Sequence, residues 1–312
     1  MQRRVFDVRY LERQVRDFRL ILDLDDAGIS KELFLSDSRE EEHIYMLERY
    51  LRPGMRVLDC GANIGYYSVM MGRLVGPSGM VYAAEPVPSN FDLLKVNLRL
   101  NGLDDHVETF NLGFSNVTGT EQMYMSVMSN RHTFHPVEYV GPSRQTLRDG
   151  KPVDIPVTTI GDFAREGRQF DLIRMDIEGY EVEVFQGLIP ALADLPFKPA
   201  ILFETHRPRY DAEKHDMRRP LEGLFGAGYR VKWLASDGHD SRGGSQAYAE
   251  RGYGPANIEA VFKSSDRALY NGISNEHAID LICSTDWVRA AFLEGPAPNG
   301  IDDHNAHERN NA

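Results

Sequence analysis

An apolar strand that runs directly into a glycine-rich turn is the feature that most constrains the fold of this chain. The segment Val57–Gly65 reads VLDCGANIG, and a helix is predicted immediately after it, over Tyr66–Leu74. Gly61 permits a tight turn, and Gly65 allows close contact between helix and strand. Asn63 stands where a third glycine often occurs, and asparagine tolerates left-handed backbone angles. The N–H groups exposed at such a helix start attract negatively charged ligand atoms, so the turn is a candidate binding site.

Strands and helices are predicted to alternate on both sides of this turn. The predicted strands are Arg56–Cys60, Gly79–Ala84, Val107–Leu112, Asp171–Met175 and Pro199–Phe203. The predicted helices are Glu40–Leu51, Tyr66–Leu74, Ser89–Asn101 and Val182–Leu188. A β-α-β-α-β series implies a parallel sheet with crossover helices. The predicted fold class is therefore α/β, with a mostly parallel sheet that has helices on both faces.

An acidic residue at the end of the second strand favours a nucleoside ligand. Glu85 lies about 20 residues after Gly65, where a carboxylate can accept hydrogen bonds from both ribose hydroxyls. Asp59 precedes the first glycine, and the turn does not follow the G-x-G-x-x-G pattern. A carboxylate there suits the amino group or sulfonium of S-adenosylmethionine better than a pyrophosphate. NAD binding remains the alternative.

Composition and charge narrow the class of protein. Hydrophobic residues make up 42% and charged residues 26% of the 312 residues, as in a soluble globular protein. No run approaches the roughly 18 apolar residues of a membrane span. The net charge of −12 disfavours nucleic acid and acidic lipid surfaces as partners. Cys60 and Cys283 are far apart in sequence, which predicts a cytoplasmic location without a disulfide framework.

Three regions are predicted along the chain. Residues 1–52 form an N-terminal extension made of a β-hairpin and a helix. Residues 53–265 form the catalytic α/β domain, in which 120–157 is a candidate lid over the site, because this stretch is irregular and rich in polar residues. Residues 266–312 are predicted as a C-terminal helix followed by a disordered tail.

The strands at the margins of these regions are predicted from short apolar segments. The hairpin is assigned to Phe18–Leu24 and Leu33–Leu35. Tyr229–Leu234 and Asn257–Lys263 are the candidates for the last two strands of the domain. The helix of the C-terminal region is placed at Ile279–Phe292. This helix or the hairpin could mediate a homodimer.

Four ordered blocks of this sequence resemble the FkbM family of methyltransferases. They are Asp59–Ser68 (DCGANIGYYS), Glu85–Phe91 (EPVPSNF), Met175–Glu181 (MDIEGYE) and Glu204–His206 (ETH). Asp25–Ser30, upstream of them, is also similar, and the match extends roughly over Leu20–Phe262. One such block alone is not specific, but four blocks in the same order are.

This resemblance implies a Rossmann-like class I methyltransferase fold with seven strands, of which the last is antiparallel. It implies S-adenosylmethionine as cofactor and methyl transfer to a hydroxyl of a sugar, a glycan or another natural-product small molecule. The residues it assigns to the cofactor are Asp59, Gly61, Asn63, Gly65 and Glu85, with Asn111 near the adenine. Tyr67 is expected to line the same cleft, and Asp176 is expected to contact both cofactor and acceptor.

Three polar residues at the ends of two strands are candidates for catalysis. Asp176 follows Asp171–Met175, and Glu204 and His206 follow the next strand, so neighbouring strands would bring them together at the carboxyl edge of the sheet. Residues two apart in an extended chain point the same way, so Glu204 and His206 can face one site. His206 or Asp176 could act as general base, with Glu204 orienting the histidine. Alternatively, Asp176, Glu204 and His206 could bind Mg²⁺ or another divalent cation that acidifies the acceptor hydroxyl.

Several residues and functions stay open at this point. Glu178 and Glu181 could serve only as caps of the following helix, where carboxylates favour the positive end of the dipole. His132 and His135 are more typical of exposed loop residues than of ligands. The alternative functions are an N-methyltransferase, an NAD-type oxidoreductase on the same fold, and a binding protein that has lost the chemistry.

Overall fold

The secondary structure follows the predicted alternation through most of the chain. The computed structural model describes residues 8–126, 128–135, 147–210 and 213–296. Its strands are β1 (Tyr10–Val15), β2 (Phe18–Asp23), β3 (Arg56–Cys60), β4 (Met80–Ala84), β5 (Val107–Phe110), β6 (Gly113–Phe114), β7 (Gly119–Ser126), β8 (Leu147–Thr158), β9 (Leu172–Met175), β10 (Ala200–Glu204), β11 (Arg230–Ser236), β12 (Val261–Phe262), β13 (Arg267–Tyr270) and β14 (Val288–Glu294). Its helices are α1 (Ile29–Leu35), α2 (Glu41–Tyr50), α3 (Tyr66–Val75), α4 (Pro88–Leu100), α5 (Ile160–Arg165), α6 (Glu181–Ala191), α7 (Arg218–Gly226), α8 (Gly244–Ala249) and α9 (Asn275–Ser284). None of these helices is long and apolar enough to span a bilayer.

A mixed sheet forms the centre of the fold, with the strand order β12-β13-β11-β14-β10-β9-β3-β4-β5. The five neighbours β5, β4, β3, β9 and β10 are parallel. This is the strand order of a Rossmann-like sheet, which confirms the predicted α/β organisation. The order reverses between β3 and β9, and ligands of such sheets bind outside the carboxyl ends of the strands at this point.

The sheet differs from the expected seven mostly parallel strands. In the described residues it has nine strands, and β14 is antiparallel to both of its neighbours, β10 and β11. β13 pairs antiparallel with β11 and with the short edge strand β12. The sheet is therefore mixed, and its interior strands β11, β13 and β14 each run antiparallel to both of their neighbours.

The position of β14 corrects the predicted C-terminal region. The helix expected at Ile279–Phe292 ends at Ser284, and Val288–Glu294 is a strand in which five of the seven residues are buried. Its sequence, VRAAFLE, contains good helix formers, but pairing on both sides inside the sheet overrides this local preference. The predicted domain boundary between residues 265 and 266 therefore divides the central sheet. The part of the expected tail beyond residue 296 lies outside the described residues.

Helices cover both faces of the sheet, as predicted, and each face has its own apolar core. Val57 and Leu58 are neighbours in β3, yet they belong to opposite cores, because successive side chains of a strand alternate between faces. One core includes residues of α5, α6, α7 and α9. The other includes residues of α2, α3 and α4 together with β2 of the N-terminal extension.

The N-terminal hairpin lies earlier in the chain than predicted. It consists of β1 and β2, whereas Leu33–Leu35, the expected second strand, is the end of α1. Ile29 and Leu33 are buried one helical turn apart, so their spacing suits a helix better than a strand. Asn97 of α4 holds the hairpin, because its Oδ1 accepts a hydrogen bond of 2.6 Å from the backbone N–H of Ile21.

The candidate lid is mainly a β-structure. β7 and β8 are antiparallel, and β6 joins β8 to form a separate three-stranded sheet. The segment 128–135 follows β7 and returns to the carboxyl edge of the central sheet, where it lines a cavity. Residues 136–146, which belong to the predicted lid, lie outside the described residues.

Candidate active site

The glycine-rich turn between β3 and α3 has the left-handed backbone that its sequence predicts. Gly61, Asn63 and Gly65 have φ angles of 82°, 51° and 94°. A Cβ atom at Gly61 would lie 2.2 Å from the carbonyl oxygen of Asp176, so only glycine fits where β3 and β9 end side by side. A Cβ atom at Gly65 would lie 2.9 Å from Leu94 of α4. Gly61 therefore permits contact with the neighbouring strand end, and Gly65 permits contact between helices.

A cavity of about 770 Å³ opens next to this turn. Five of the residues expected to hold a cofactor line it, namely Gly61, Asn63, Tyr67, Glu85 and Asp176. Asp59, Gly65 and Asn111 were also expected at the cofactor, but they do not line this cavity.

Glu85 lies at the end of β4 and points into the cavity from a buried position. Its Oε2 accepts a hydrogen bond of 2.8 Å from the N–H of Asn63, and its Oε1 accepts one of 3.0 Å from the N–H of Val87. Burial raises the pKa of Glu85 to about 7, although these hydrogen bonds act in the opposite direction. The carboxylate therefore ties the turn to the end of β4, and a ligand hydroxyl can offer it further donors.

Asn111 stabilises the backbone of Glu85 and Pro86 at the edge of the cavity. Its Nδ2 donates to the carbonyl oxygens of Glu85 and Pro86 at 2.9 and 3.1 Å. The next two residues, Leu112 and Gly113, line the cavity. Asn111 thus fixes the backbone that forms the cavity rather than facing the ligand itself.

Asp59 is fully buried and already paired within the protein. Its Oδ2 accepts a hydrogen bond of 2.6 Å from Ser68, and its Oδ1 lies 3.2 Å from the guanidinium of Arg174. This corrects the expectation that Asp59 contacts a cationic group of the ligand, because the guanidinium of Arg174 lies between Asp59 and the cavity.

Arg174 is a site residue that the sequence analysis missed. It lies in β9, and its guanidinium also pairs with Asp176 at 2.9 Å and stacks over the ring of Tyr67 at 4.1 Å from the centroid. Burial works to raise the pKa of Asp176, but the positive charges of Arg174, His206 and Arg39 together hold the pKa below its usual range. The sequence feature that could have identified it is a single arginine in an otherwise apolar strand. A buried charge needs charged or polar partners, so such an arginine indicates a polar cluster.

The N-terminal extension forms part of the cavity wall, which the sequence analysis did not foresee. Ile29 and Arg39 line the cavity. The hydroxyl of Tyr67 donates to the buried Glu40 at 2.7 Å, and Glu40 also pairs with Arg39 and Arg289 at 2.6 and 2.9 Å. The part of the extension between Ile29 and Glu40 therefore belongs to the wall of the site.

A second, more polar cavity of about 1280 Å³ adjoins the first. Glu204, His206 and Arg289 line it, and Asp176 and Glu178 line both cavities. The predicted meeting of Asp176, Glu204 and His206 at the carboxyl edge of the sheet is thus found. Glu178 has a left-handed φ of 57° and precedes α6 without forming part of it, so its side chain belongs to the two cavities rather than to the helix start.

His206 is surrounded by carboxylates. Its Nδ1 lies 2.9 Å from Glu181, and its Nε2 lies 3.6 and 3.7 Å from Glu204 and Glu178. Burial by itself would lower the pKa of His206, but the carboxylates, Glu181 foremost, raise it to about 10. An imidazolium cannot take a proton, so this arrangement argues against His206 as general base. Glu181, a candidate cap in the sequence, is fully buried and orients the histidine.

The same groups fit a divalent cation poorly. One ligand atom of each of Asp176, Glu204 and His206 lies within 4.8 Å of the others. However, Arg174 pairs with Asp176, and Arg289 pairs with Glu204 at 2.5 Å. Because guanidinium groups already neutralise both carboxylates and the histidine is protonated, we derive no step through a cation at this place.

The two histidines of the lid segment are not simple exposed residues. His132 lines the first cavity, and its Nδ1 accepts a hydrogen bond of 2.9 Å from the N–H of Ser126. His135 is only 3% exposed. Nothing in the local sequence distinguishes them, because their surroundings depend on residues that are distant in sequence.

Comparison with known proteins agrees with the ordered blocks at this site. A model of the methyltransferase FkbM domain matches residues 59–231, more than half of the chain. Methyltransferase sdnD of Sordaria araneosa is 30% identical over 155 residues, which are 42% of this chain and 60% of that protein. A protein-L-isoaspartate O-methyltransferase of Methanothrix thermoacetophila (strain DSM 6194 / JCM 14653 / NBRC 101360 / PT) is 30% identical over 110 residues, 34% of this chain and 49% of that protein.

The chain therefore spans about half to three fifths of the length of these curated relatives. Among solved structures, M. jannaschii TYW2 in complex with AdoMet aligns with a TM-score of 0.40 and 16% identity, covering 95% of this chain and 90% of that chain. The match of the FkbM model includes the glycine-rich turn, Glu85, Asp176 and His206. This chain belongs to the FkbM family of methyltransferases.

Proposed function

We propose that this protein transfers a methyl group from S-adenosylmethionine to a hydroxyl oxygen of a polar small molecule or glycan. The observation that carries the proposal is that Asp176 and Glu178 line both the cavity at the glycine-rich turn and the adjoining polar cavity. Two cavities that share a carboxylate-bearing wall can hold a donor and an acceptor side by side.

The residues at the first cavity fit the cofactor. S-adenosylmethionine supplies an electrophilic methyl group on a sulfonium when it is bound. Glu85 can accept hydrogen bonds from the ribose hydroxyls, and the left-handed turn at Gly61–Asn63 exposes backbone next to the ligand. Arg174, which also lines this cavity, is a suitable partner for the carboxylate of the amino-acid part.

Asp176 is the group that we assign to the acceptor hydroxyl. As an O-methyl bond forms, the hydroxyl proton must leave, and a carboxylate within reach can accept its hydrogen bond and then the proton. Arg174 holds Asp176 ionised at neutral pH and fixes its orientation. His206 and Glu204 line the adjoining cavity with polar groups, and we assign them the role of positioning residues.

The second cavity favours a hydroxylated acceptor. Arg39, Arg131 and Arg289 line it together with the carboxyl groups of other residues, and this lining offers donors and acceptors to many hydroxyls. A third cavity of about 1050 Å³ shares these three arginines, so the polar groove continues beyond the second cavity. Such a continuous groove suits a sugar or a longer glycan better than a small apolar molecule.

The test of this function begins with the cofactor. Calorimetric titration of the full chain with S-adenosylhomocysteine and, separately, with NAD should give binding of the first alone. Transfer of a labelled methyl group from S-adenosylmethionine to a panel of sugars, glycans and amines should then favour hydroxyl acceptors. Binding of NAD alone would support the oxidoreductase, and transfer to amines alone would support the N-methyltransferase.

The Asp176→Asn variant tests the assigned residue. We expect the transfer rate to fall by about 100-fold or more, because the group that takes the proton is lost. Affinity for S-adenosylhomocysteine should stay within about tenfold, since Arg174 keeps its contact with Asp59. Asp154→Asn, at an exposed position of β8, is the matched control and should change neither value. Normal turnover of Asp176→Asn would remove Asp176 from the mechanism.

A further inference from the structure

Two histidines and a glutamate meet at a place outside the proposed active site. His135 belongs to the segment after β7, Glu183 to the first turn of α6, and His215 to the loop before α7. One ligand atom of each lies within 4.8 Å of the others. The rings of His135 and His215 are 4.0 Å apart between centroids, and His215 Nδ1 lies 2.7 Å from Glu183.

This cluster is buried and separate from the cofactor and acceptor cavities. His135 is 3% exposed, and the side chains of Glu183 and His215 are 12% and 13% exposed. Within the described part of the chain, these three residues line neither of the two cavities to which the methyl transfer is assigned. Polar groups that are removed from water in this way need strong partners.

The hydrogen bond of His135 to a backbone carbonyl identifies the tautomer of its ring. Its Nε2 lies 2.8 Å from the carbonyl oxygen of Gly179, and a carbonyl can only accept, so Nε2 carries the proton. Nδ1 then has the lone pair. Metal-binding histidines typically donate their other N–H to a backbone carbonyl or a carboxylate in this manner, which fixes the tautomer.

Glu183 supplies the carboxyl group of the cluster. Its Oε2 is buried and has no hydrogen-bond donor among the described residues, while its Oε1 faces His215. A cation would satisfy the buried oxygen and would balance the carboxylate. Two imidazole nitrogens and one carboxylate oxygen form a ligand set that zinc binds at about 2.0–2.2 Å, with water as fourth ligand. Mg²⁺ prefers oxygen ligands and fits this set less well.

We propose that His135, Glu183 and His215 form a binding site for a divalent transition-metal ion of the zinc type. The ion would join three elements that are distant in sequence, namely the segment after β7, α6 and the loop before α7. The segment carries Phe134, which lines the cofactor cavity. The ion therefore has a structural role, because it fixes one wall of that cavity without touching the reacting atoms.

The experiment uses the full chain after dialysis against a chelator, with Zn²⁺ alone as the probe. Titration should show one tight equivalent, and Zn²⁺ should raise the melting temperature of the protein. Co²⁺ at the same site should give the visible ligand-field absorption of a four-coordinate ion. The double variant His135→Gln/His215→Gln should weaken Zn²⁺ binding by at least about 100-fold, since two ligands are lost.

Two control variants locate the ion. His106→Gln removes a histidine whose Nε2 lies 3.2 Å from the carbonyl of Gly72, outside the cluster. His206→Gln removes the histidine of the acceptor cavity. Both should bind Zn²⁺ as the wild type does. If the double variant does not unfold cooperatively without metal, Glu183→Gln replaces it and should weaken binding by about tenfold or more.

Three results would overturn the proposal. The first is a wild type that takes up no equivalent of Zn²⁺. The second is a cooperatively folding double variant, or a Glu183→Gln variant, that binds as tightly as the wild type. The third is loss of binding in His206→Gln, which would place the ion at the acceptor cavity. These readouts do not depend on methyl transfer, so they can fail or succeed independently of the proposed function.

Discussion

At the scale of single residues, the site is organised by buried charges that are paired before a ligand arrives. Arg174 lies between Asp59 and Asp176, and Arg289 lies between Glu40 and Glu204. Each guanidinium forms ion pairs with two carboxylates, and these pairs fix the orientation of the carboxylates. Removal of one partner from such a buried pair is costly because it leaves an uncompensated charge. Substitutions that keep the size and polarity of the side chain are therefore the informative tests of the residues in this site.

Glu85 gives a prediction at this scale. Burial raises its pKa to about 7 from the ordinary value of 4.5, so the neutral acid accumulates as the pH falls below 7. Only the carboxylate can accept hydrogen bonds with both oxygens. We therefore expect the Kd for S-adenosylhomocysteine to increase by about tenfold from pH 8 to pH 6, as measured by calorimetry.

The control for this titration is Glu85→Gln. It keeps the size of the side chain but has one acceptor oxygen and no charge, so its affinity should be weak at both pH values. A flat profile in the wild type, or the same slope in Glu85→Gln, would show that Glu85 does not hold the ligand.

At the scale of elements, the N-terminal extension and the segment 128–135 are tied together over the cofactor cavity. Asp26 accepts hydrogen bonds from the backbone N–H and the hydroxyl of Ser129 at 2.8 and 2.7 Å. A Cβ atom at Gly28, two residues later, would lie 2.2 Å from Asn130 Oδ1 and 3.1 Å from the backbone nitrogen of Ser129, so a side chain there would have to displace part of this segment. The carbonyl of Ser129 in turn accepts from Asn63 at 2.9 Å. The extension thus reaches the glycine-rich turn through this segment.

Asp26→Ala should test this connection. Loss of a carboxylate that accepts from Ser129 costs about 1.5–3 kcal/mol per charged hydrogen bond. We therefore expect the Kd for S-adenosylhomocysteine to rise by about tenfold or more. Asp25→Ala changes the adjacent exposed carboxylate and should leave the Kd within about twofold. Equal affinities of the two variants would mean that the extension does not shape the cavity.

At the scale of the whole molecule, β14, the last strand of the described residues, joins two parts of the central sheet. β14 pairs with β10 and β11, so the two sides of the sheet are joined only when residues 288–294 are in place. Phe292 is fully buried and contacts Tyr50 and Trp233, with ring centroids 4.9 and 5.3 Å away. β14 therefore packs against α2 and β11, which are distant from each other in sequence.

Phe292→Ala measures the importance of this strand. A large-to-small change at a buried aromatic residue should lower the free energy of unfolding by about 3–5 kcal/mol in urea denaturation. Phe34→Ala, at a position that is 40% exposed, should cost about 1 kcal/mol or less. A loss at Phe292 no larger than that at Phe34 would be inconsistent with an internal strand.

The predictable part of the site consists of residues whose role depends on local geometry. The left-handed turn at Gly61, Asn63 and Gly65 follows from residue types that tolerate positive φ. The meeting of Asp176 with Glu204 and His206 follows from the rule that parallel strands end at one edge. In contrast, Asp59 was placed at the ligand because the sequence does not show that Arg174 comes between them.

By itself, the sequence determined the parallel core of the sheet, the glycine-rich turn and the edge at which the site lies, because these depend on periodicity and on neighbouring residues. The tertiary structure alone decided the strand at Val288–Glu294, the wall formed by the N-terminal extension and the protonation of His206. These features depend on burial and on charges from distant segments. A helix-forming heptapeptide becomes a strand when both of its edges are paired, and a histidine becomes an imidazolium when the fold surrounds it with carboxylates.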